Sequence, residues 1–126
     1  MIRGDSSGSF NGINLSMNNS GVVNADIKNG GSNVLALTST ATFNDGKWHH
    51  FVFTFNGTNN AFFYIDGTVV GSGDPNASWS LNGQPVRRGT ATDSFWNTFT
   101  GSLDDVRIYN RVLSYQEIQQ LYAIGR

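Results

Sequence analysis

Six Asn-Gly or Asp-Gly pairs, beginning at Asn11, Asn29, Asp45, Asn56, Asp66 and Asn82, are the feature that most limits what this chain can fold into. Asn, Asp and Gly tolerate the positive φ of tight hairpin turns, so pairs spaced along 126 residues predict a meander of antiparallel strands. Strand-like segments lie between them: 10–17, 22–27, 34–38, 48–55, 61–65, 68–71 and 103–109. Phe51, Phe53 and Phe55 alternate with Val52 and Thr54, which predicts one phenylalanine face buried against a second sheet. Phe62 to Val70 predicts a hairpin whose turn is Asp66-Gly67. The fold class is therefore all-β, a two-sheet antiparallel β-sandwich, with one helix at its end. Ser114-Tyr115-Gln116-Glu117 has the spacing of a capping box with Ser114 as N-cap. Ile118, Leu121 and Tyr122 then form an apolar stripe toward the sandwich, Gln119 and Gln120 face water, and Gly125 ends the helix.

Length and charge remove several function classes. One domain spanning residues 1–126 is expected from the size of core such a chain can bury. Charged residues make up 13% of the sequence and the formal net charge is −1. With no run of either sign, the electrostatic footprint for nucleic acid or anionic lipid is missing. No apolar stretch approaches the ~20 residues that span a bilayer, which predicts no membrane insertion. The N-terminus has no signal-peptide core, so an exported form takes its signal from elsewhere. The absence of cysteine excludes disulfides and thiolate chemistry.

Two signatures carry a family resemblance. They are Asp45-Gly46-Lys47-Trp48-His49-His50-Phe51 leading to Tyr64-Ile65-Asp66-Gly67, and Gly101-Ser102-Leu103-Asp104-Asp105-Val106-Arg107-Ile108-Tyr109-Asn110-Arg111-Val112-Leu113-Ser114. In order and spacing they closely resemble laminin-G-like jelly-roll domains of the concanavalin A-like lectin/glucanase superfamily. The resemblance implies two face-to-face sheets, a secreted or cell-surface setting, and often carbohydrate as ligand. Domains of that family normally open with further strands, so this chain is expected to be the C-terminal portion of a longer family unit. A sandwich lacking those strands exposes edges, and homo-oligomerisation or a neighbouring chain is the expected remedy. Arg88 stands where the family usually has an apolar residue; pointing inward, it would need Asp104 or Asp105 as partner.

Candidate sites follow. Trp79, Phe95 and Trp96 sit in a polar, irregular stretch where no strand face needs a ring. They are expected either to stack on sugar rings, with Asp93, Asn97 and Arg87 bonding hydroxyls, or to cover the sandwich's open end. Resemblance to calcium-binding relatives implies a calcium role for Asp104 with Asp5 or nearby carbonyls, against a structural hydrogen-bonding role. His49 and His50 face opposite ways in a strand and have no third histidine, so they are taken as structural, and Trp48 as packing. Arg3-Gly4-Asp5 is an adhesive tripeptide only in an exposed loop. Asn14, Asn18, Asn56 and Asn76 open glycosylation sequons. Catalysis is not expected: adjacent Asp104 and Asp105 point apart, Glu117 is a cap, and no nucleophile motif is present. The expected function is thus non-catalytic carbohydrate recognition, with a structural or adhesive protein-interaction domain as the alternative.

Overall fold

The computed structural model describes residues 2–3, 11–76, 87–89 and 99–125. Its strands are β1 (Ile2–Arg3), β2 (Gly12–Met17), β3 (Val22–Asn29), β4 (Ser32–Thr42), β5 (Phe51–Phe55), β6 (Ala61–Ile65), β7 (Thr68–Gly73) and β8 (Arg87–Arg88), followed by helix α1 (Tyr115–Ile124). They form a five-stranded sheet in the order β4-β3-β2-β1-β8 and a three-stranded sheet in the order β5-β6-β7. Every pairing is antiparallel. The chain is an all-β sandwich with one short C-terminal helix.

Turn chemistry builds these hairpins. Asp66 and Gly67 have φ of 51° and 75°, the two left-handed residues of a type I′ turn, and Ile65 pairs Thr68 across it. At the second hairpin the left-handed pair is Gly30-Gly31, with Asn29 still paired to Ser32. The turn sits one residue beyond the Asn29-Gly30 pair because two glycines fit the required φ values better than Asn and Gly do. Gly12 is part of β2, and the Asn82-Gly83 pair lies outside the described residues.

The inner faces meet as the alternation requires. Val23, Ala25 and Leu37 of the larger sheet bury against Phe63 and Ile65 of the smaller, with Phe51 and Phe53 packed around them. Gly71 and Gly73 of β7 lie directly under Leu37 and Leu35. A Cβ at Gly73 would come 2.5 Å from Leu35 Cδ1, closer than real contacts allow. Gly73→Ala is therefore expected to lower stability by about 1–3 kcal/mol in urea denaturation, and Leu35→Ala in the same chain to recover part of the steric share. Between the pairs Phe63↔Gly71 and Tyr64↔Val69 the register shifts, leaving Val70 as an extra residue, a β-bulge. Val70 joins the core.

A second cluster lies on the other face of the three-stranded sheet, where Tyr64 packs with Leu113, Ile118, Val52 and Leu121 under α1. Ser114 caps this helix and closes the capping box with Glu117 as expected. Gly125 ends it, at φ −81° and so without a left-handed cap. Gln119 departs from expectation: its amide donates to Gly67 O and to Tyr115 Oη, tying the helix to the hairpin turn instead of facing water.

Three further expectations are corrected. Residues 103–109 form no strand, because Asp105 turns left-handed at φ 50° and β5 pairs with β6 alone among the described residues. Leu103, Ile108 and Tyr109 are exposed there. Trp48 is 68% exposed instead of packed. Its neighbour His49 is drawn in between two carboxylates, and alternation sends the indole outward. Arg88 is exposed, so it requires no buried partner, and Asp105 pairs with Arg107 at 3.3 Å.

Candidate functional site: the outer face of the three-stranded sheet

Thr54, Phe62 and Ser72 lie level with one another across β5, β6 and β7, with side chains on the face turned away from the core. The next outward residue on β6 is Tyr64, and beyond it Tyr115 of α1. Ring centroids are 6.2 Å apart from Phe62 to Tyr64 and 6.4 Å from Tyr64 to Tyr115, tilted by 37° and 36°. This row is covered only at its middle, for Tyr64 is buried and hydrogen-bonded to Thr54 while Phe62 is 37% and Tyr115 54% exposed. At the Phe62 end the sheet opens into a depression of about 260 Å³ lined by Asn59, Asn60, Phe62, Ser72 and Asp74.

One asparagine sets the shape of that end. Asn56 Oδ1 accepts the N–H groups of Thr58, Asn59 and Asn60 at 3.0, 3.0 and 3.1 Å. Its Nδ2 donates to Asn59 Oδ1, as does Asn60 Nδ2. Asn56 also donates its own N–H to Asn60 O, which closes the loop at its base. A side chain so committed holds the β5–β6 loop in one conformation. Across the depression, Asp74 Oδ1 accepts the Asn76 N–H at 2.7 Å, which orients the carboxylate.

At the opposite end of the same sheet a charged clamp fastens the hairpin. Asp66 Oδ1 accepts the His50 N–H at 2.9 Å, and Asp66 Oδ2 meets His49 Nδ1 at 2.8 Å. His49 Nε2 meets Asp45 Oδ1 at 2.9 Å. With a carboxylate on each ring nitrogen, His49 binds its proton more tightly than usual: burial is the largest single influence and opposes this, but Asp66 and Asp45 together outweigh it. Asp45 is held down at about 2, first by His49 and then by the Lys47 N–H. His50 goes the other way, pushed down chiefly by burial, and its ring stacks on Tyr122.

The clamp has a pH signature. A His pKa raised above 6.5 on folding stabilises fully below 6.5 and loses that contribution as pH climbs through the folded value. The lowered Asp45 contributes above about 3.8 and loses it as pH falls toward about 2. The urea midpoint is therefore expected to fall as pH rises above 6.5, and His49→Gln to flatten that alkaline limb.

Trp79, Phe95, Trp96, Asp93, Asn97 and Asp5 lie outside the described residues. Arg87 belongs to β8, where its backbone pairs with Arg3. Asp104 is exposed, and its Oδ1 accepts the Asp105 N–H at 2.8 Å. Among the described residues no group of three His, Cys, Asp or Glu side chains is arranged to hold a metal. Of the sequon asparagines, Asn14 is buried and Asn56 is consumed by its loop.

Residues 1–119 match the family model of the laminin-G group described as the concanavalin A-like lectin/glucanases superfamily. The chain belongs to this superfamily. It is similar to the sushi, von Willebrand factor type A, EGF and pentraxin domain-containing protein 1 of Rattus norvegicus, at 29% identity over 94 residues. That match covers 68% of this chain and 3% of the rat protein. Its concanavalin A-like fold is also similar to the crystal structure of residues 221–444 of an S-layer domain-containing protein from Clostridium thermocellum ATCC 27405. There the identity is 24%, the TM-score 0.50, and coverage 97% of this chain and 61% of the solved one.

Proposed function

We propose that this chain is a non-catalytic recognition module of a secreted or surface-displayed protein, and that it binds carbohydrate on the outer face of the three-stranded sheet. The observation that carries this reading is the row Phe62, Tyr64 and Tyr115, open at both ends and running into a polar depression. A pyranose has an apolar C–H face that an aromatic ring covers and a rim of hydroxyls that amides and carboxylates bind. The irregular stretch holding Trp79, Phe95 and Trp96 follows Asn76 in the chain and offers the same ring chemistry, with Asp93, Asn97 and Arg87 as hydroxyl partners. Glycoside hydrolysis needs two facing carboxylates, whereas among the described residues this face presents Asp74 alone and Glu117 is held by Arg111 and Ser114. The names of the S-layer and pentraxin-domain relatives agree with display outside the cell.

The test is a glycan array of the purified chain, with and without chelator. Binding that Phe62→Ala and Tyr115→Ala each weaken supports the reading, and an array blank in both conditions overturns it. Loss on chelation would assign calcium a part, with Asp5 and Asp104 as the residues to substitute next.

A second reading, an assembly domain completed by another copy or a neighbouring chain, is favoured by β5, whose Phe51 to Phe53 portion pairs with β6 alone among the described residues. Asp66 N bonds His50 O and Asn56 N bonds Asn60 O, so the even-numbered residues of this stretch face β6. The backbone groups of Phe51 and Phe53 therefore point to the open side. Beyond Phe55 a crevice of about 400 Å³ separates Asn56 and Gly57 from Tyr109 to Val112. Light scattering across a concentration series decides: a defined oligomer dispersed by Ile108→Lys supports assembly, and a constant monomer mass removes it.

A further inference from the structure

We infer that the depression between the β5–β6 loop and the end of β7 is a metal-free subsite for one neutral hexopyranose ring, gripped through a pair of adjacent hydroxyls. The inference rests on the carbohydrate reading and narrows it to a ligand class.

Hydrogen-bonding capacity locates the contacts. Asn59 Oδ1 already accepts two bonds, from Asn56 Nδ2 and Asn60 Nδ2, so what Asn59 offers a ligand is its own Nδ2 with two N–H groups. Asn60 spends one Nδ2 N–H on Asn59 Oδ1 and offers Oδ1 as an acceptor. Asp74 spends Oδ1 on the Asn76 N–H and offers Oδ2. The Ser72 hydroxyl both donates and accepts. Donors and acceptors are thus both present in the lining of one small basin. Two neighbouring sugar hydroxyls suit this set, since each O–H donates to one oxygen while its own oxygen accepts from an amide.

The arrangement is fixed before any ligand arrives. The Asn56 side chain holds three backbone amides of the loop, and the Asp74 carboxylate is oriented by Asn76. Preorganised groups of this kind lose little freedom on binding, which matters for a ligand as small as one sugar ring. Phe62, level with Ser72 on the same face, supplies the apolar floor. A basin of about 260 Å³ lies below the ~300–1,000 Å³ of pockets for drug-sized ligands and has room for a single ring.

Charge sets the class. Among the described residues the lining holds no lysine or arginine, and its one ionisable group is the Asp74 carboxylate. An anionic sugar such as a sialic acid, a uronic acid or a sulfated hexose would bring its charge against that carboxylate with no cation among the described lining residues to offset it. Neutral hexoses meet no such penalty.

The experiment is an array of paired neutral and acidic glycans in the presence of chelator, run on the wild type, Asp74→Ala, Asp74→Asn and a Trp48→Ala control, each checked by circular dichroism. Neutral glycans are expected to bind and acidic ones to be refused. Asp74→Ala is expected to weaken binding at least tenfold, and Trp48→Ala to leave it unchanged. Asp74→Asn keeps an acceptor for the Asn76 N–H and so preserves the loop, while admitting acidic glycans the wild type rejects. Neutral binding indifferent to both Asp74 variants, a wild-type preference for acidic glycans, or binding abolished by chelator would each overturn the subsite while leaving carbohydrate recognition standing. An array with no binding in any condition removes the broader reading and the subsite together.

Discussion

Phe63→Ala is expected to lower the unfolding free energy by about 3–5 kcal/mol, measured by urea denaturation, a large share of the ~5–15 kcal/mol that a domain has in total. Phe63 is completely buried and central to the contact between the sheets, with Ala25, Leu37 and Ile65 around it. Its pairing partners Phe53 and Gly71 are held by the ladder, so neither backbone can collapse into the space left behind. The informative comparison is Phe62→Ala, one residue away on the outer face. That side chain is more than a third exposed and fills no interior volume. Its loss is expected to cost less than about 1 kcal/mol while removing the proposed sugar platform. Equal destabilisation by the two substitutions would refute the assignment of inner and outer faces.

Asp66→Ala has the second largest expected effect, about 2–3 kcal/mol by the same assay. Asp66 does three things: it occupies a left-handed turn position at φ 51°, it accepts the His50 N–H, and it faces His49. Alanine supports none of these. Asp66→Asn tolerates the same φ and keeps an oxygen for the His50 N–H, so it is expected to retain more than half of the stability that alanine loses. Its remaining deficit reports the charge on His49 and should shrink above the pH at which that ring releases its proton. An Asn variant as damaged as the Ala variant at every pH would assign the whole effect to charge instead of turn geometry.

Features coded within a few residues were legible in the sequence. The Asp66-Gly67 turn, the Ser114 to Glu117 capping box and the alternation that packs Phe51 and Phe53 on the core each depend on neighbours within one turn or one strand. Features that depend on a distant partner were not. Residues 103–109 have strand composition, but a strand also needs an edge to bond, and among the described residues no strand pairs with them. Gln119 reads as a solvent residue until the hairpin brings Gly67 O beneath it, 52 positions away in the chain. Trp48 looks like core until His49 is claimed by Asp45 and Asp66. The proposed subsite was missed for the same reason, since Asn59 and Asn60 reach Ser72 and Asp74 only when β6 and β7 fold back on each other. A signal was present nonetheless. Asn56 to Asn60 is an unbroken polar run directly before a strand whose second residue, Phe62, falls on the outer face, and rings on outward positions beside fixed polar loops merit the scrutiny given to rings in irregular stretches.

The extra residue in β7 divides that strand into two reading frames. On the side nearer Asp66, the turn dictates which residue meets which. On the far side, the partnership of Gly71 and Gly73 with the leucines above them does so, and Val70 takes up the difference. The half that carries Ser72 and leads to Asp74 is therefore not bound by the pairing that closes the hairpin. Proteins built this way can revise what they recognise at one end of a strand, residue by residue, while the other end keeps its closure unchanged.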